Sequence, residues 1–69
     1  MSESQEILLK AMEDHQWRTA KEIAEDTGIR LTAISAKIVR LENWYVFEKR
    51  RKNGYRYIEF EYKLVGRRF

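Results

Sequence analysis

The sequence predicts an α+β fold in which three helices are followed by an antiparallel β-hairpin. Three observations carry this. Ile34, Ile38 and Leu41 repeat at helical spacing, with Gly28 marking a sharp turn before them. The segment from Trp44 onward is rich in aromatic and β-branched residues. Asn53-Gly54 then interrupts it with a strong hairpin-turn signal.

Helix 1 is expected from about Ser4 to Asp14. Ser2 and Gln5 have the spacing of a capping box, with Ser4 as a competing N-cap. Ile7, Leu8, Ala11 and Met12 share one helical face and are assigned to the core, with Leu9 at its margin. His15, at the helix end, is placed to meet the C-terminal dipole. Gln16, Trp17 and Arg18 suit a short extended piece that pairs with the later hairpin, Trp17 closing the core.

Thr19-x-x-Glu22 forms a second capping box and opens helix 2, expected over Ala20–Asp26 with Ala20, Ile23, Ala24 and Thr27 inward. Gly28 turns the chain with positive φ, which costs glycine little, and Ile29 tucks beneath the turn. Helix 3 is expected over Leu31–Asn43, burying Ile34, Ile38 and Leu41. Its other face shows Thr32, Ala33, Ser35, Ala36, Lys37 and Arg40: small residues first, basic ones later.

A two-residue turn at Asn53-Gly54 sets Phe47 opposite Phe60, Lys49 opposite Ile58 and Tyr45 opposite Tyr62. One face of the hairpin then holds Tyr45, Phe47, Ile58, Phe60, Tyr62 and Leu64, and Glu48, Arg50, Tyr57, Glu59, Glu61 and Lys63 point away. The cost of this register is a like-charge pair, Glu48 with Glu59. The tail Gly66–Phe69 is expected to fray.

Composition narrows the function. Sixty-nine residues predict one small domain, residues 1–69, burying only about 60% of its unfolded surface. With no cysteine there is neither a disulfide nor a thiolate metal site. One histidine, no phosphate-binding glycine loop and no convergent carboxylate pair argue against an enzyme, a metal centre or a bound cofactor. No small-molecule ligand is indicated. No apolar run is long enough for a bilayer, and the N-terminus lacks the features of a signal peptide, so the expected compartment is the cytoplasm.

The net charge of +3 conceals a gradient. Residues 1–29 carry three basic and seven acidic side chains, residues 30–44 three and one, and residues 45–69 eight and three. Such segregation points to a polyanion-binding face with an acidic back. The hairpin tip, Lys49–Arg56, has five basic residues in eight: Lys49, Arg50, Arg51, Lys52 and Arg56. These are candidate phosphate ligands, with Tyr55 among them able to stack on a sugar or base. Lysines and arginines on a strand can also serve simply to protect its edge from aggregation.

A short helix, a tight turn and a longer helix form a helix-turn-helix, whose second helix can enter the major groove of DNA. Lys37 and Arg40 would neutralise phosphates, Arg30 could read a guanine, and Thr32 and Ser35 would influence site choice. The order of elements resembles a winged helix-turn-helix domain with a two- to three-stranded wing. The chain is similar to the DNA-binding core of MarR-, ArsR- and Lrp-type bacterial regulators in Ala24-x-x-x-Gly28-Ile29, in Ile34, Ile38 and Leu41, and in the β-rich segment after them. Small regulators of fimbrial or phage operons are nearest in size. The resemblance implies a double-stranded DNA-binding transcriptional regulator, with Thr32, Ala33, Ser35 and Ala36 on the recognition helix and Arg50, Arg51, Lys52 and Tyr55 at the wing tip. Arg30 departs from the pattern by standing where a Ser or Thr usually caps that helix, and Trp44-Tyr45 replaces a basic-Gly pair before the wing. A second copy or another protein is a possible further partner. The alternative function is a phage- or plasmid-type interaction module acting on host machinery, and structured RNA is a third possible target.

Overall fold

In the computed structural model, which describes residues 2–53 and 58–68, each helix begins where the sequence supplies a device to begin it. α1 (Glu3–Ala11) opens at Ser2, whose hydroxyl accepts the Gln5 N–H while the Ser2 N–H donates to Gln5 Oε1 at 3.0 Å. α2 (Ala20–Thr27) opens at Thr19 with the same reciprocal pair, the two bonds to Glu22 both 3.1 Å. These bonds also hold the Glu22 carboxyl below its ordinary value. Each box satisfies two orphan backbone donors of its helix. α2 ends at Gly28, in the left-handed region with φ 74°, where its N–H reaches Ala24 O at 2.9 Å. The Thr27 hydroxyl donates to Ile23 O and accepts from the Ile29 N–H, folding Ile29 under the turn. α3 (Leu31–Leu41) follows after Gly28, Ile29 and Arg30.

β1 (Arg18–Thr19), β2 (Tyr45–Asn53) and β3 (Ile58–Arg67) form one antiparallel sheet in the order β1-β3-β2. The short β1 is the extended piece expected before helix 2, and it pairs Arg18 with Tyr62 and Thr19 with Glu61. The core is Leu8, Met12, Ile23, Ile34, Ile38, Leu41, Tyr62 and Leu64, with Leu9, Ala20, Ala24, Ile29, Tyr45 and Phe47 packed around it. The helices therefore lie on one face of the sheet. Burial pushes the Tyr62 phenol above its ordinary pKa. No helix among the described residues is long and apolar enough to cross a membrane.

Several expectations require correction. Phe47 faces Leu64 and not Phe60, Lys49 faces Tyr62 and not Ile58, and Tyr45 faces Arg67 and not Tyr62. Asn53 is the last ladder residue of β2, opposite Ile58, which excludes a two-residue turn at Asn53-Gly54. The physical reason lies in the charges. The observed register pairs Glu48 with Lys63, Arg50 with Glu61 and Lys52 with Glu59, where the expected one set Glu48 against Glu59. A register shift between Val46 and Phe47 leaves Val65 as the extra residue. The conformation of Gly54, Tyr55, Arg56 and Tyr57 and the side-chain direction of Ile58 lie outside the described residues.

The tail is held in place through Arg68, and Phe69 lies outside the described residues. β3 runs to Arg67, the Arg68 N–H donates to Trp44 O at 2.9 Å, and Arg68 Nε donates to Glu42 O at 2.8 Å. In α1 the buried stripe is Gln5, Leu8 and Met12, and Ile7 stands 41% exposed. The observed stripe shares Leu8 and Met12 with the expected one, and the capping box satisfies the Gln5 amide oxygen, so the polar residue can be buried. α1 ends at Ala11, short of the expected Asp14, because the chain turns through residues 12–14. His15 lies beyond the helix with φ 59°, and its Nδ1 donates to Leu64 O at 2.8 Å, tying this turn to β3. Trp17 is outside the core. Strand alternation puts it on the outer face of the sheet, under Arg50 at 4.1 Å and near Lys63 at 5.8 Å.

Candidate nucleic-acid interface

α3 is the element on which the expected DNA-contacting residues meet. Its inner stripe, Ile34, Ile38 and Leu41, is fixed in the core, so its rotation is fixed as well. Going round the helix at 100° per residue, the solvent arc passes through Leu31, Ser35, Val39, Thr32, Ala36 and Arg40. All six are exposed. Between Arg30 and Arg40 the chain has no acidic residue.

Of the residues expected on this face, Thr32, Ser35, Ala36 and Arg40 lie on the arc. Ala33 and Lys37 lie to one side, half-buried toward α1, and Lys37 Nζ donates to Ser4 Oγ at 2.8 Å. With Ser2, Gln5, Ala36 and Arg40 they line a shallow recess of about 250 Å³. Lys37 is therefore anchored as well as cationic. Leu31 and Val39 do not belong to the expected face, yet they are 52% and 65% exposed. The helical wheel contains that signal for Val39, which falls well outside the Ile34–Ile38–Leu41 stripe; Leu31 lies about 20° from Ile38 and is exposed as the first residue of the helix, at the open groove.

Arg30 is exposed at the mouth of α3 and makes no side-chain cap. Arg30 joins the first turn through its backbone, the Ala33 N–H donating to Arg30 O at 2.9 Å. The helix thus presents uncapped amides and the positive end of its dipole beside a guanidinium.

A second wall faces α3. A groove of about 560 Å³ runs between the first turns of α2 and α3 and the strand β3, bordered by Lys21, Leu31, Ser35, Phe60 and Tyr62 among others. On the ribbon, strand alternation divides the cations in two. Lys49 and Arg51 stand opposite Tyr62 and Phe60, on the helix-facing side. The Lys49 ammonium lies over the Phe60 ring at 4.2 Å and 5.9 Å from that of Tyr62. Arg50 and Lys52 stand on the other side, opposite Glu61 and Glu59. Arg50 Nε donates to Glu61 Oε1 at 2.9 Å and its guanidinium stacks on Trp17. Of the basic tip, then, Lys49 and Arg51 stand opposite the groove-lining Tyr62 and Phe60, whereas Arg50 and Lys52 oppose acids on the outer face. Tyr55 and Arg56 lie outside the described residues.

The remaining charges serve the frame. Arg18 donates two bonds of 2.6 Å to Asp14 and lies 3.6 Å from Asp26. The Arg18 hydrogen bonds, chiefly, hold the Asp14 carboxyl down at about 2, and the same pairing raises the Arg18 guanidinium. Among the described residues no group of three His, Cys, Asp or Glu side chains is placed to hold a metal ion. Compared with protein-family models, curated proteins and solved structures, the chain matches none.

Proposed function

We propose that this is a winged helix-turn-helix protein that binds double-stranded DNA and regulates transcription in the cytoplasm. α3 would enter the major groove, and the β2–β3 ribbon would serve as the wing on the adjacent backbone or minor groove. One observation carries this reading: the solvent arc of α3 holds no acid, and Lys49 and Arg51 stand on the helix-facing side of the ribbon, across from the Tyr62 and Phe60 that line the groove beside α3. Most acids lie elsewhere, on α1, α2 and the outer face of the sheet, while Glu59 borders the groove opposite Lys52. Small side chains on the arc let the helix backbone approach groove walls closely, while Arg30, Arg40, Lys49 and Arg51 flank it as phosphate ligands.

Binding of a random-sequence duplex of about 24 base pairs, followed by fluorescence anisotropy against salt, tests the reading. The expected dissociation constant at low salt is below about 100 μM, the weak limit of non-specific binding. Four to five phosphate contacts give a log–log salt slope of about −4, so affinity falls on the order of 250-fold between 50 and 200 mM salt. No binding at about 100 μM, or a flat salt dependence, overturns the proposal. The exposed Leu31 and Val39 favour a second reading, an adaptor that docks on another protein, and a failed duplex titration would favour it. A single module covers only about 600–1,000 Å², so high specificity calls for a second copy on a neighbouring half-site. Sedimentation with and without DNA reads this directly.

A further inference from the structure

The solvent arc of α3 is unusual in what it lacks. Leu31, Thr32, Ser35, Ala36 and Val39 hold no amide, carboxylate or guanidinium, and Arg40 comes only in the last turn. Bidentate reading of adenine by Asn or Gln, or of cytosine by an acid, is therefore closed to the body of this helix. Two hydroxyls remain, together with the methyl groups of Leu31 at the start of the arc and of Thr32, Ala36 and Val39, which adjoin one another beyond Ser35. One base alone presents a methyl group in the major groove: thymine, at C5.

We infer that α3 selects DNA through apolar contact with thymine methyl groups, so that the preferred site is T-rich where Leu31 and Val39 lie. The inference rests on the DNA-binding reading above and names what that site recognises. Charge complementarity supplies the occupant: Arg30, Arg40, Lys49 and Arg51 ring the apolar arc with cations, as a helix between two phosphate backbones requires. A groove about 12 Å wide admits the helix, and the small residues Thr32, Ser35 and Ala36 let it seat deeply enough for Leu31 and Val39 to reach base edges. The free energy is that of ordinary apolar burial, gained only where the partner base carries the methyl.

The test uses four 24-base-pair duplexes compared by anisotropy at matched salt concentrations: an A·T-rich duplex, the same duplex with every thymine replaced by uracil, and a G·C-rich duplex with and without 5-methylcytosine. Uracil keeps every hydrogen-bonding group and removes only the methyl. Removing one buried methyl is expected to weaken binding roughly fourfold, so two to three of them give about 15- to 60-fold. The 5-methylcytosine duplex, which carries its methyl in the same groove, should bind more tightly than its unmethylated form. In L31S/V39S, both changes on the exposed arc, the thymine–uracil difference should collapse while the salt slope stays unchanged. Equal affinity for thymine and uracil duplexes overturns the inference and leaves the DNA-binding reading intact, with Leu31 and Val39 then facing a protein. Failure of the wild-type chain to bind any duplex overturns both.

Discussion

Arg30 breaks a local rule, and a single substitution can show why. The residue before α3 has φ −58° and ψ 136°, close to the extended conformations of Ser2 and Thr19, which cap their helices with side chains. Arg30 has the conformation of a cap without the chemistry of one. Serine there would accept a bond from the first turn and is expected to add about 1 kcal/mol. Unfolding entropy of about 2.1 cal/mol/K per residue over 69 residues amounts to about 0.14 kcal/mol/K, so Tm should rise by about 7 °C. No offsetting loss is expected, since Arg30 takes part in no ion pair among the described residues.

The same change removes one phosphate ligand. The salt slope should shrink by about 0.9, and the gain in affinity between 200 and 50 mM salt should fall about 3.5-fold. Thermal unfolding by circular dichroism and duplex anisotropy read the two effects separately. A variant that is more stable and binds less well shows that stability is given up at this position for contact with DNA. If Arg30→Ser lowers Tm, the capping argument is wrong. If it raises Tm and leaves the salt slope untouched, Arg30 does not meet a phosphate.

Three further substitutions probe other parts of the molecule. Thr19→Ala dismantles the α2 capping box and should cost about 1–2 kcal/mol, seen as a fall in Tm of roughly 7–14 °C with the thymine preference unchanged. Lys49→Ala with Arg51→Ala should reduce the salt slope by about 1.8, whereas Arg50→Ala, on the Glu61 and Trp17 side, should leave it nearly unchanged; equal losses would refute the division of the ribbon into two faces. Asp14, held at about 2 against an ordinary 3.8, adds stability that is full above 3.8 and lost as pH falls toward 2. In Asp14→Asn the acid limb of a stability–pH profile should therefore be shallower across that interval, and an identical limb would show that the Arg18 pairing is uncoupled from folding.

What can be read from the sequence depends on how local its cause is. Capping boxes act over three residues and a glycine turn over one, so the starts of α1, α2 and α3 follow directly from Ser2, Thr19 and Gly28. The Ile34–Ile38–Leu41 stripe is equally local. Trp17 departs from its expected place because that place depends on which face of β1 turns outward, and a two-residue strand has too little alternation to announce it. The tail departs for a similar reason: Arg68 is held by Trp44 and Glu42, distant in sequence, and no local pattern records those bonds. At the site, the chemistry of the cations is legible but their sidedness requires the sheet.

The hairpin register shows the same division within one element. Asn53-Gly54 favours a particular turn, but the preference of a turn is small beside three cross-strand charge pairs. With the turn in control, Glu48 meets Glu59; four residues along, Glu48, Arg50 and Lys52 each meet a residue of opposite charge. A displacement by four is even, so it exchanges every partner and moves no side chain to the other face. Tyr62, Leu64 and Phe47 therefore face the helices in either register, which is why the inward face is readable although the pairing is not. The consequence for function lies in the residues between them. The register ties up Arg50 in its bond to Glu61 and sets Lys52 opposite Glu59, and it leaves Lys49 and Arg51, across from aromatic rings instead of acids, on the helix-facing side. The pairing that stabilises the ribbon is thus what sorts its cations into a structural face and a face turned toward the groove.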